Sequence, residues 1–320
     1  MMRTHNNGQL RLEDVNSEVT LVGWVARRRD LGSMVFIDLR DRYGITQLVF
    51  DDKHTDIIKN VRNEYVIQVK GKVAKRQESN PDLKTGEIEV LVESMEVINK
   101  AKTTPLIIAE ETDALENVRL KYRYLDLRRP NMQNNLITRS KITNSIRRFL
   151  DDKDFVDIET PILGKSTPEG ARDYLVPSRN YAGEFYALPQ SPQLYKQLLM
   201  ISGFERYYQI ARCFRDEDLR ADRQMEFTQV DLEMSFMSEE AIQDLTEKLM
   251  QTVFKDVLDV NLDLPFKKMT WHTAMDLYGS DKPDTRFNLE FIELTDIFKN
   301  SQFNVLKSAV DSGGTIKGIV

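Results

Sequence analysis

Arg215 and the charged loop after it have the residue types and the spacing to bind a phosphate. Two apolar-alternating stretches, Tyr207–Arg215 and Glu226–Ser235, flank the nine-residue loop Asp216–Gln224 and predict a β-hairpin with Arg215 at its mouth. Arginine stays charged and can bind a phosphate through two parallel N–H groups. Hairpin loops usually have about 2 to 5 residues, so this longer loop favours a function. An ordinary amphipathic hairpin with a solvated tip explains the pattern equally well.

The second arm of the hairpin is predicted to have one polar and one apolar face. At the strand period of two, one face carries Phe227, Gln229, Asp231 and Glu233, and the other carries Thr228, Val230, Leu232 and Met234. The apolar face would therefore pack in a core, and the polar face would line a site.

The hairpin also resembles a known motif. The string Phe214-Arg215-Asp216-Glu217, followed by Arg223, Phe227 and Asp231, resembles motif 2 of class II aminoacyl-tRNA synthetases. In that family the hairpin folds over ATP, which implies that Arg215 bonds the α-phosphate and that Phe227 stacks on adenine. The full set of ATP contacts implied by the resemblance is Arg215, Asp216, Glu217, Gln224 and Phe227.

Two further segments narrow the family. Thr167–Tyr174 reads Thr-Pro-Glu-Gly-Ala-Arg-Asp-Tyr, Gln190–Lys196 reads Gln-Ser-Pro-Gln-Leu-Tyr-Lys, and with the hairpin they resemble the bacterial aspartyl-tRNA synthetase family. The resemblance implies a mobile loop whose Glu169 reads the ammonium group of aspartate, while Lys196 pairs with the β-carboxylate. The implied aspartate-binding set is Glu169, Ser191, Gln193, Lys196, Arg215, Gln229 and Asp231. From the residues alone, a solvated turn and a surface lysine are the alternatives.

The activity implied by the resemblance is that of an aspartate–tRNA ligase, with ATP, L-aspartate and tRNA as substrates. The α-carboxylate of aspartate, ionised above a pKa of about 3.5, attacks the α-phosphorus of ATP without a protein base. Arg215, as the catalytic residue, and Mg²⁺ offset the charge that develops on the phosphate, and no metal-ligating residue is assigned. The terminal ribose hydroxyl of the tRNA then attacks the mixed anhydride.

The sequence around these residues predicts an α+β chain. In this fold an N-terminal OB-fold β-barrel precedes a class II synthetase antiparallel β-sheet domain flanked by helices. The barrel strands are expected at Glu18–Arg28, Met34–Asp41, Ile45–Phe50, Tyr65–Ala74 and Ile88–Asn99, with a helical interval near Thr55–Asn63. Alternation places Phe36 off the core face, where an aromatic ring can stack on an unpaired base. In the resembled family this domain binds the anticodon, and the implied contacts are Arg29, Phe36, Gln47, Arg76 and Glu89.

Three helices are predicted around the second sheet. The stripe of the first is Leu136, Ile142, Ile146, Phe149 and Leu150. This helix, Phe155–Ile158 and Pro161 resemble motif 1, the dimer interface of the family, which implies a homodimer. Packing within one domain fits the stripe nearly as well. The second helix would have Ser191 as N-cap and Pro192 at its first position, would bury Leu194, Leu198 and Ile201, and would end before Gly203. The third would run from Ser238 to Leu258 and bury Ile242, Leu245, Leu249, Val253 and Val257.

The predicted domain limits are 1–104 for the anticodon-binding domain, 105–135 for a hinge, 136–286 for the catalytic domain and 287–320 for the start of a bacterial-type insertion domain. Motif 3 of the family does not occur in the sequence, so we expect an N-terminal portion of a synthetase. We therefore expect the purified 320-residue chain to bind the tRNA anticodon but not to form aspartyl-adenylate. Measurable ATP–pyrophosphate exchange by this chain would contradict the second expectation.

Composition excludes several other classes. Lys and Arg number 45 against 51 Asp and Glu, and the formal net charge of −6 argues against binding RNA through overall charge. Cys213 is the single cysteine, which excludes an intrachain disulfide, and the three histidines form no metal or triad pattern. Neither a membrane span nor a signal peptide is evident, so we expect a cytoplasmic protein without membrane partners.

Two alternatives stay open from the sequence. The first is a class II synthetase specific for asparagine or lysine, against which Glu169 and Lys196 count. The second is a non-catalytic tRNA-binding paralogue, against which the intact Arg215, Glu217 and Phe227 count. Whether asparagine tRNA is also charged is not decided by these residues.

Overall fold

A computed structural model of the protein describes residues 2–32, 34–51, 55–167 and 169–319. The chain divides into two compact units, Met1–Lys141 and Ile142–Val320, and the division falls within one long helix. Pro168, which belongs to the predicted Thr-Pro-Glu-Gly loop, lies outside the described residues. In the described parts of the chain, no helix has both the length and the apolar character needed to cross a membrane.

Five strands of the first unit close into a barrel. They are β1 (Glu18–Asp30), β2 (Val35–Arg40), β3 (Ile45–Phe50), β4 (Val66–Lys75) and β5 (Ile88–Asn99), with helix α1 (Thr55–Ile58) between β3 and β4. Their order around the barrel is β1–β2–β3–β5–β4, and all neighbours are antiparallel except β3 and β5. Five strands with a helix after the third form an OB fold, so this prediction is confirmed.

Every second side chain of the barrel strands points inward, and these apolar side chains fill the barrel. In β1, Val19, Leu21 and Val25 are buried, and in β2 Ile37 and Leu39 are fully buried. Because successive side chains of a strand point to opposite faces, the residues between them line the outer surface. The barrel core therefore fixes which side chains of β1 and β2 are available to a ligand.

Short helices follow the barrel, and Arg128, just after the second of them, forms an ion pair with Glu64 of the barrel unit. The short helices are α2 (Glu116–Lys121) and α3 (Arg123–Asp126), and the long helix α4 (Pro130–Asp151) comes next. Glu64, which is 5% exposed, accepts from Arg40 at 2.8 and 2.9 Å and from Arg128 at 2.7 Å. Arg128 Cζ also lies 5.0 Å from the centre of the Trp24 ring. The segment 105–135 is thus anchored on the barrel, and its role as a hinge stays a prediction.

The second unit is built on a three-stranded sheet. The strands of this unit are β6 (Val156–Asp157), β7 (Leu175–Pro177), β8 (Phe185–Ala187), β9 (Arg206–Phe214), β10 (Glu226–Met234), β11 (Ile292–Glu293) and β12 (Lys317–Gly318). Besides the three-stranded sheet, they form the two-stranded sheets β7–β8 and β11–β12. The further helices of the unit are α5 (Gln193–Ile201), α6 (Glu239–Leu258), α7 (Trp271–Tyr278), α8 (Thr295–Phe298) and α9 (Asn304–Asp311). The main sheet has the order β10–β9–β6, with β9 and β10 antiparallel and β6 parallel to β9.

The apolar face of the hairpin β9–β10 packs against α4 and α6. Tyr208 from the sheet, Ile146 and Leu150 from α4, and Leu249 and Val253 from α6 form the core of this unit. The predicted stripes of these two helices therefore pack against the same face of the sheet. The predicted start of α6 is confirmed as well, because the Ser238 hydroxyl accepts the Ala241 amide.

Leu136 departs from the predicted stripe of α4, since it is 54% exposed. It lies ten residues before Ile146 in the sequence, which is about 15 Å along the helix axis. The packed part of α4 therefore begins after it, at Ile142.

The start of α5 differs from the prediction. The helix begins at Gln193, and Pro192 occupies the N-cap position without a side-chain cap. Ser191 was predicted as the N-cap, but its hydroxyl donates to Glu169 Oε2 at 2.9 Å. The prediction was wrong because this hydroxyl is used in a contact between segments distant in sequence.

The buried stripe predicted for α5 was also wrong. Leu194 and Leu198 are each 49% exposed, and Ile201 is 82% exposed. The side of α5 that faces the sheet is the one that carries Lys196, which contacts β10. The polar stripe of this helix therefore lies inward and its apolar stripe outward.

Candidate functional site

The polar face of the hairpin β9–β10 forms the floor of the candidate site. Phe227 pairs with Cys213 and Asp231 pairs with Gln209 across the hairpin. Asp231 is 8% exposed, and the buried Cys213 Sγ lies 3.3 Å from Gln229 Oε1. Alternation along β10 thus gathers the residues that the sequence placed on one polar face.

Lys196 lies over this floor and joins α5 to β10. Its Nζ atom is 3.0 Å from Asp231 Oδ1 and 3.3 Å from Glu233 Oε2, and its side chain is 14% exposed. Burial acts to lower the pKa of Lys196, but the hydrogen bonds to Asp231 and Glu233 outweigh it and raise the pKa above its ordinary value. Burial has the opposite effect on the carboxyl of Asp231. It raises the pKa of Asp231, although the hydrogen bond from Lys196 opposes that shift. The site therefore holds a largely buried, fully charged ammonium group.

Arg215 lies at the mouth of the hairpin with its side chain over an aromatic ring. Its Cζ atom is 5.0 Å from the centre of the Phe227 ring, and its backbone amide donates to the Met225 carbonyl at 2.9 Å. Among the residues that the structure describes, no hydrogen-bond partner reaches the buried Arg215 Nε. A buried guanidinium N–H without a partner is suited to an anionic ligand.

The remaining predicted nucleotide contacts lie in the loop after Arg215 and are less closely gathered. Asp216 pairs with Arg172 through an isolated β-bridge, in which the Asp216 amide donates to the Arg172 carbonyl at 3.0 Å. Glu217 lies 3.7 Å from Arg223 within the loop. Gln224 is exposed. The structure thus groups Arg215 and Phe227 at the mouth, with Asp216 next to Arg215, and leaves Gln224 exposed.

Glu169 reaches the edge of the floor through the segment that precedes the bridge to Asp216. It is exposed, and its carboxylate accepts from Ser191 at 2.9 Å. Gln193 lies half-buried at the first turn of α5, one turn before Lys196. The predicted amino-acid contacts therefore come from three separate parts of the chain and meet around one sheet face.

The charged groups around the floor change the pKa of the Cys213 thiol. Burial, together with the charges of Asp231 and Glu169, raises its pKa from 9.0 to about 11, while Arg215 acts in the opposite direction. Three predicted ligand contacts, Asp231, Glu169 and Arg215, thus influence the pKa of the Cys213 thiol in the floor.

We expect this thiol to be unreactive in the folded chain. Since its pKa rises from 9.0 to about 11, the thiolate fraction at about pH 8 should fall about 100-fold relative to the unfolded chain, and the rate of reaction with a disulfide reagent should fall with it. The measurement compares thiol labelling with and without urea, and the single cysteine makes the signal unambiguous. Equal rates in the two conditions would mean that the floor is open to solvent.

Two residues of the site were missed from the sequence. Glu233 was placed on the polar face but not in the site, although it shares the face of Asp231 and could have been included on that ground. Gln190 is 4% exposed and contacts the segment that carries Glu169. No periodic signal marks it.

A second concave surface lies on the barrel. A pocket of about 510 Å³ is lined by all five predicted anticodon contacts, which are Arg29, Phe36, Gln47, Arg76 and Glu89. Gln47 links them: it accepts from Arg29 at 3.0 Å and from Arg76, and it donates to Glu89 at 2.8 Å. Arg29 Cζ lies 5.9 Å from the centre of the Phe36 ring. The pocket offers a ring, two cations and a carboxylate at one edge of the OB barrel, which is the chemistry that unpaired bases require.

Each of the two units contains residues that match a known protein family. The family of tRNA synthetases class II (D, K and N) matches residues 115–306, and the OB-fold nucleic acid binding domain matches residues 19–98. The aspartate–tRNA(Asp/Asn) ligase of Caldanaerobacter subterraneus subsp. tengcongensis is 56% identical over 325 residues, which cover 100% of this chain and 55% of that protein. The aspartate–tRNA ligase of Halalkalibacterium halodurans is 59% identical, and the match covers 99% of this chain and 54% of that protein.

Solved structures are similar to this chain as well. The asparaginyl-tRNA synthetase from Pyrococcus horikoshii, complexed with asparaginyl-adenylate, is 26% identical with a TM-score of 0.71, over 81% of this chain and 59% of that chain. This chain spans about half the length of the curated relatives it matches. Because the family match covers more than half of the chain and contains the entire hairpin that carries the site, this chain belongs to the class II tRNA synthetases (D, K and N).

Proposed function

We propose that this chain carries the aspartate-binding and ATP-binding residues and the anticodon-binding domain of an aspartate–tRNA ligase. The reaction is the ATP-dependent activation of L-aspartate to aspartyl-adenylate, followed by transfer of aspartate to the terminal ribose of tRNA. The observation that carries the proposal is the buried ammonium of Lys196, held above the polar floor by Asp231 and Glu233. A carboxylate side chain is the substrate group that such an ammonium binds best.

Arg215 and Phe227 are the proposed nucleotide contacts at the hairpin mouth. The carboxylate of the substrate is already ionised, so catalysis requires positioning and charge stabilisation rather than a base. Arg215 would bond the α-phosphate through its guanidinium, whose Nε meets no partner among the described residues, and Phe227 would offer a stacking face to adenine. Glu169 and Ser191 would bind the ammonium group of aspartate from the opposite side.

Mg²⁺ fits this site as an ion carried by ATP. In the described ranges of the chain, no group of three or more His, Cys, Asp or Glu side chains is arranged to hold a metal. Mg²⁺ is commonly bound by one or two carboxylates together with substrate phosphates, and it neutralises phosphate charge. The acidic side chains of the loop that begins at Asp216 are the carboxylates available for it.

The aspartate specificity can be tested with a hybrid enzyme. This chain would replace the aligned segment of the Halalkalibacterium halodurans relative, which gives a protein of that relative's length. We expect aspartate-dependent ATP–pyrophosphate exchange and no exchange with asparagine or lysine. Exchange driven by asparagine in preference to aspartate would refute the proposal.

The proposed RNA contact of the barrel makes a separate prediction. Phe36→Ala should weaken tRNA binding by the 320-residue chain about 10- to 100-fold, because one base–aromatic stack contributes about 1 to 3 kcal/mol. Tyr43→Ala changes another aromatic side chain of the barrel unit, outside the pocket, and serves as the control. Filter binding of aspartate tRNA measures both; equal affinities for the two variants would exclude the pocket as the anticodon site.

A second candidate concerns the range of tRNAs. One relative carries the name aspartate–tRNA(Asp/Asn) ligase and another the name aspartate–tRNA ligase, at 56% and 59% identity. Charging of both tRNAs is therefore a candidate for this chain as well. The hybrid enzyme, assayed with purified aspartate and asparagine tRNAs, decides between the two.

We also propose a homodimer in the cytoplasm, with domain limits at 1–104, 105–135, 136–286 and 287–320. In support of the dimer, Val156, Ile162 and Leu163 follow α4 and are 44%, 49% and 53% exposed. Exposed apolar side chains within and directly after the segment that resembles motif 1 favour burial against a second copy. Sedimentation equilibrium of the chain measures this directly.

A further inference from the structure

We propose that Gln190 is a positioning residue that couples the aspartate-binding segment to the ATP-binding hairpin, an inference that rests on the proposed function. Gln190 is 4% exposed, although glutamine is mostly found at protein surfaces. Its buried amide therefore calls for partners, and the structure supplies them from one short segment.

The Gln190 side chain pairs with Ala171 as a second backbone would. Gln190 Nε2 donates to the Ala171 carbonyl at 2.9 Å, and Gln190 Oε1 accepts from the Ala171 amide at 3.3 Å. Gln190 Nε2 also donates to Asp173. Both backbone polar groups of Ala171 are thus fixed by one side chain, because the primary amide carries both the donor and the acceptor that this pairing requires.

Ala171 stands between the two halves of the site. Glu169 precedes it by two residues, and Arg172 follows it directly. The Arg172 carbonyl accepts the Asp216 amide at 3.0 Å, and Asp216 is the neighbour of Arg215. A fixed Ala171 therefore restrains Glu169 on one side and the start of the nucleotide loop on the other.

Backbone bonds close this arrangement into a continuous ladder. The Leu188 amide donates to the Tyr174 carbonyl at 2.9 Å, and the Phe214 amide donates to the Pro189 carbonyl at 2.9 Å. Gln190 follows Pro189 directly, so its own backbone is attached to the hairpin while its side chain holds Ala171. Loss of the side-chain amide would remove the link at its centre and leave the backbone bonds around it.

Amide hydrogen exchange of the 320-residue chain tests the coupling without any substrate. Gln190→Met keeps the side-chain length and removes all three side-chain hydrogen bonds to Ala171 and Asp173. We expect the protection of the Ala171 and Asp216 amides to fall at least about 10-fold while that of Val253 in the core is unchanged. Gln243→Met in α6 is the matched control and should change neither amide. Gln190→Glu keeps the shape but cannot donate, and should act in the same direction as Gln190→Met.

Two outcomes of the exchange experiment would overturn the proposal. Unchanged protection at Asp216 would show that Gln190 holds its own segment only. Loss of protection at Val253 in both Gln190→Met and Gln190→Glu would show that Gln190 has a general structural role.

Kinetics of the hybrid enzyme add a readout that a purely structural role would not give. We expect Gln190→Met to raise the KM values for both aspartate and ATP about 10-fold with kcat changed by less than about 3-fold, because the contacts to both substrates lose their restraint. An effect on the aspartate KM alone would refute the coupling. If the hybrid with the native Gln190 is inactive, the proposed function fails, while the exchange experiment still decides the role of Gln190.

Discussion

Arg215→Ala in the hybrid enzyme is expected to lower kcat/KM for aspartate-dependent ATP–pyrophosphate exchange about 1,000-fold. The Arg215 guanidinium lies at the hairpin mouth, and its buried Nε has no partner in the described part of the chain. The guanidinium is the proposed group that meets the charge developing on the α-phosphate. A preorganised donor of this kind commonly contributes 10²- to 10³-fold, or about 3 to 4 kcal/mol, and here the donor is also a cation. The loss should fall mainly on kcat, since the charge grows in the transition state.

Strand β9, which ends just before Arg215, offers a matched control. Arg212 lies three residues earlier, is half-exposed, and pairs with Glu226 at 3.1 Å. Surface ion pairs contribute about 0 to 1 kcal/mol, so Arg212→Ala should leave kcat/KM within a few-fold of the unmodified hybrid. Comparable losses in both variants would show that the effect is loss of strand structure and not loss of a phosphate contact.

Lys196→Met is expected to lower kcat/KM for aspartate at least about 100-fold in the same assay. Methionine keeps the length of the side chain but leaves the β-carboxylate of the substrate buried without a counter-charge. Breaking a buried ion pair by removing one partner costs about 3 to 5 kcal/mol, and each factor of ten corresponds to about 1.4 kcal/mol. The charged side chain, and not the shape of the pocket, should therefore determine activity with aspartate.

The variant also removes the partner of Asp231 and Glu233, so its folding must be measured separately. The pKa of Asp231 is already raised by burial, and without Lys196 this carboxyl should bind a proton more readily. Thermal unfolding of Lys196→Met should therefore show a lower melting temperature that recovers partly as the pH falls toward the raised pKa. Lys248→Met is the control, because Lys248 pairs with Asp244 on the exposed surface of α6. Full aspartate activity in folded Lys196→Met would remove the argument for aspartate.

The barrel and the hairpin could be predicted from sequence because their information is local. Strand alternation fixes which side chains of β2 lie inward, so Phe36 and Ile37 could be placed on opposite faces before the structure was known. The same period placed Asp231 and Gln229 together on the floor. In both elements, the register of antiparallel partners follows from a buried face and a polar face.

Helix α5 shows where local information fails. Its apolar stripe, with Leu198 and Ile201, predicts an inward face, yet this stripe is exposed and Lys196 faces the sheet. Amphipathic periodicity identifies two faces but not the neighbour each one meets, and here two carboxylates on β10 select the polar one. The Ser191 hydroxyl was assigned to a cap for the same reason, because its partner Glu169 is distant in sequence.

Contacts between irregular segments were beyond sequence reasoning altogether. Gln190 and Ala171 are separated by 19 positions, and neither lies in a helix or strand. A side-chain amide that pairs with a backbone leaves no period and no composition bias. Such contacts carry the inferred coupling between the two halves of the site, and they are visible only when the segments are seen together.

The most direct test of the account is a crystal structure of the hybrid enzyme with a non-hydrolysable analogue of aspartyl-adenylate. We predict that the Arg215 guanidinium contacts the group that replaces the α-phosphate, while Lys196 Nζ contacts the β-carboxylate and the adenine ring lies on Phe227. An analogue bound with Arg215 directed away from it, or with Lys196 still paired only to Asp231 and Glu233, would contradict the account.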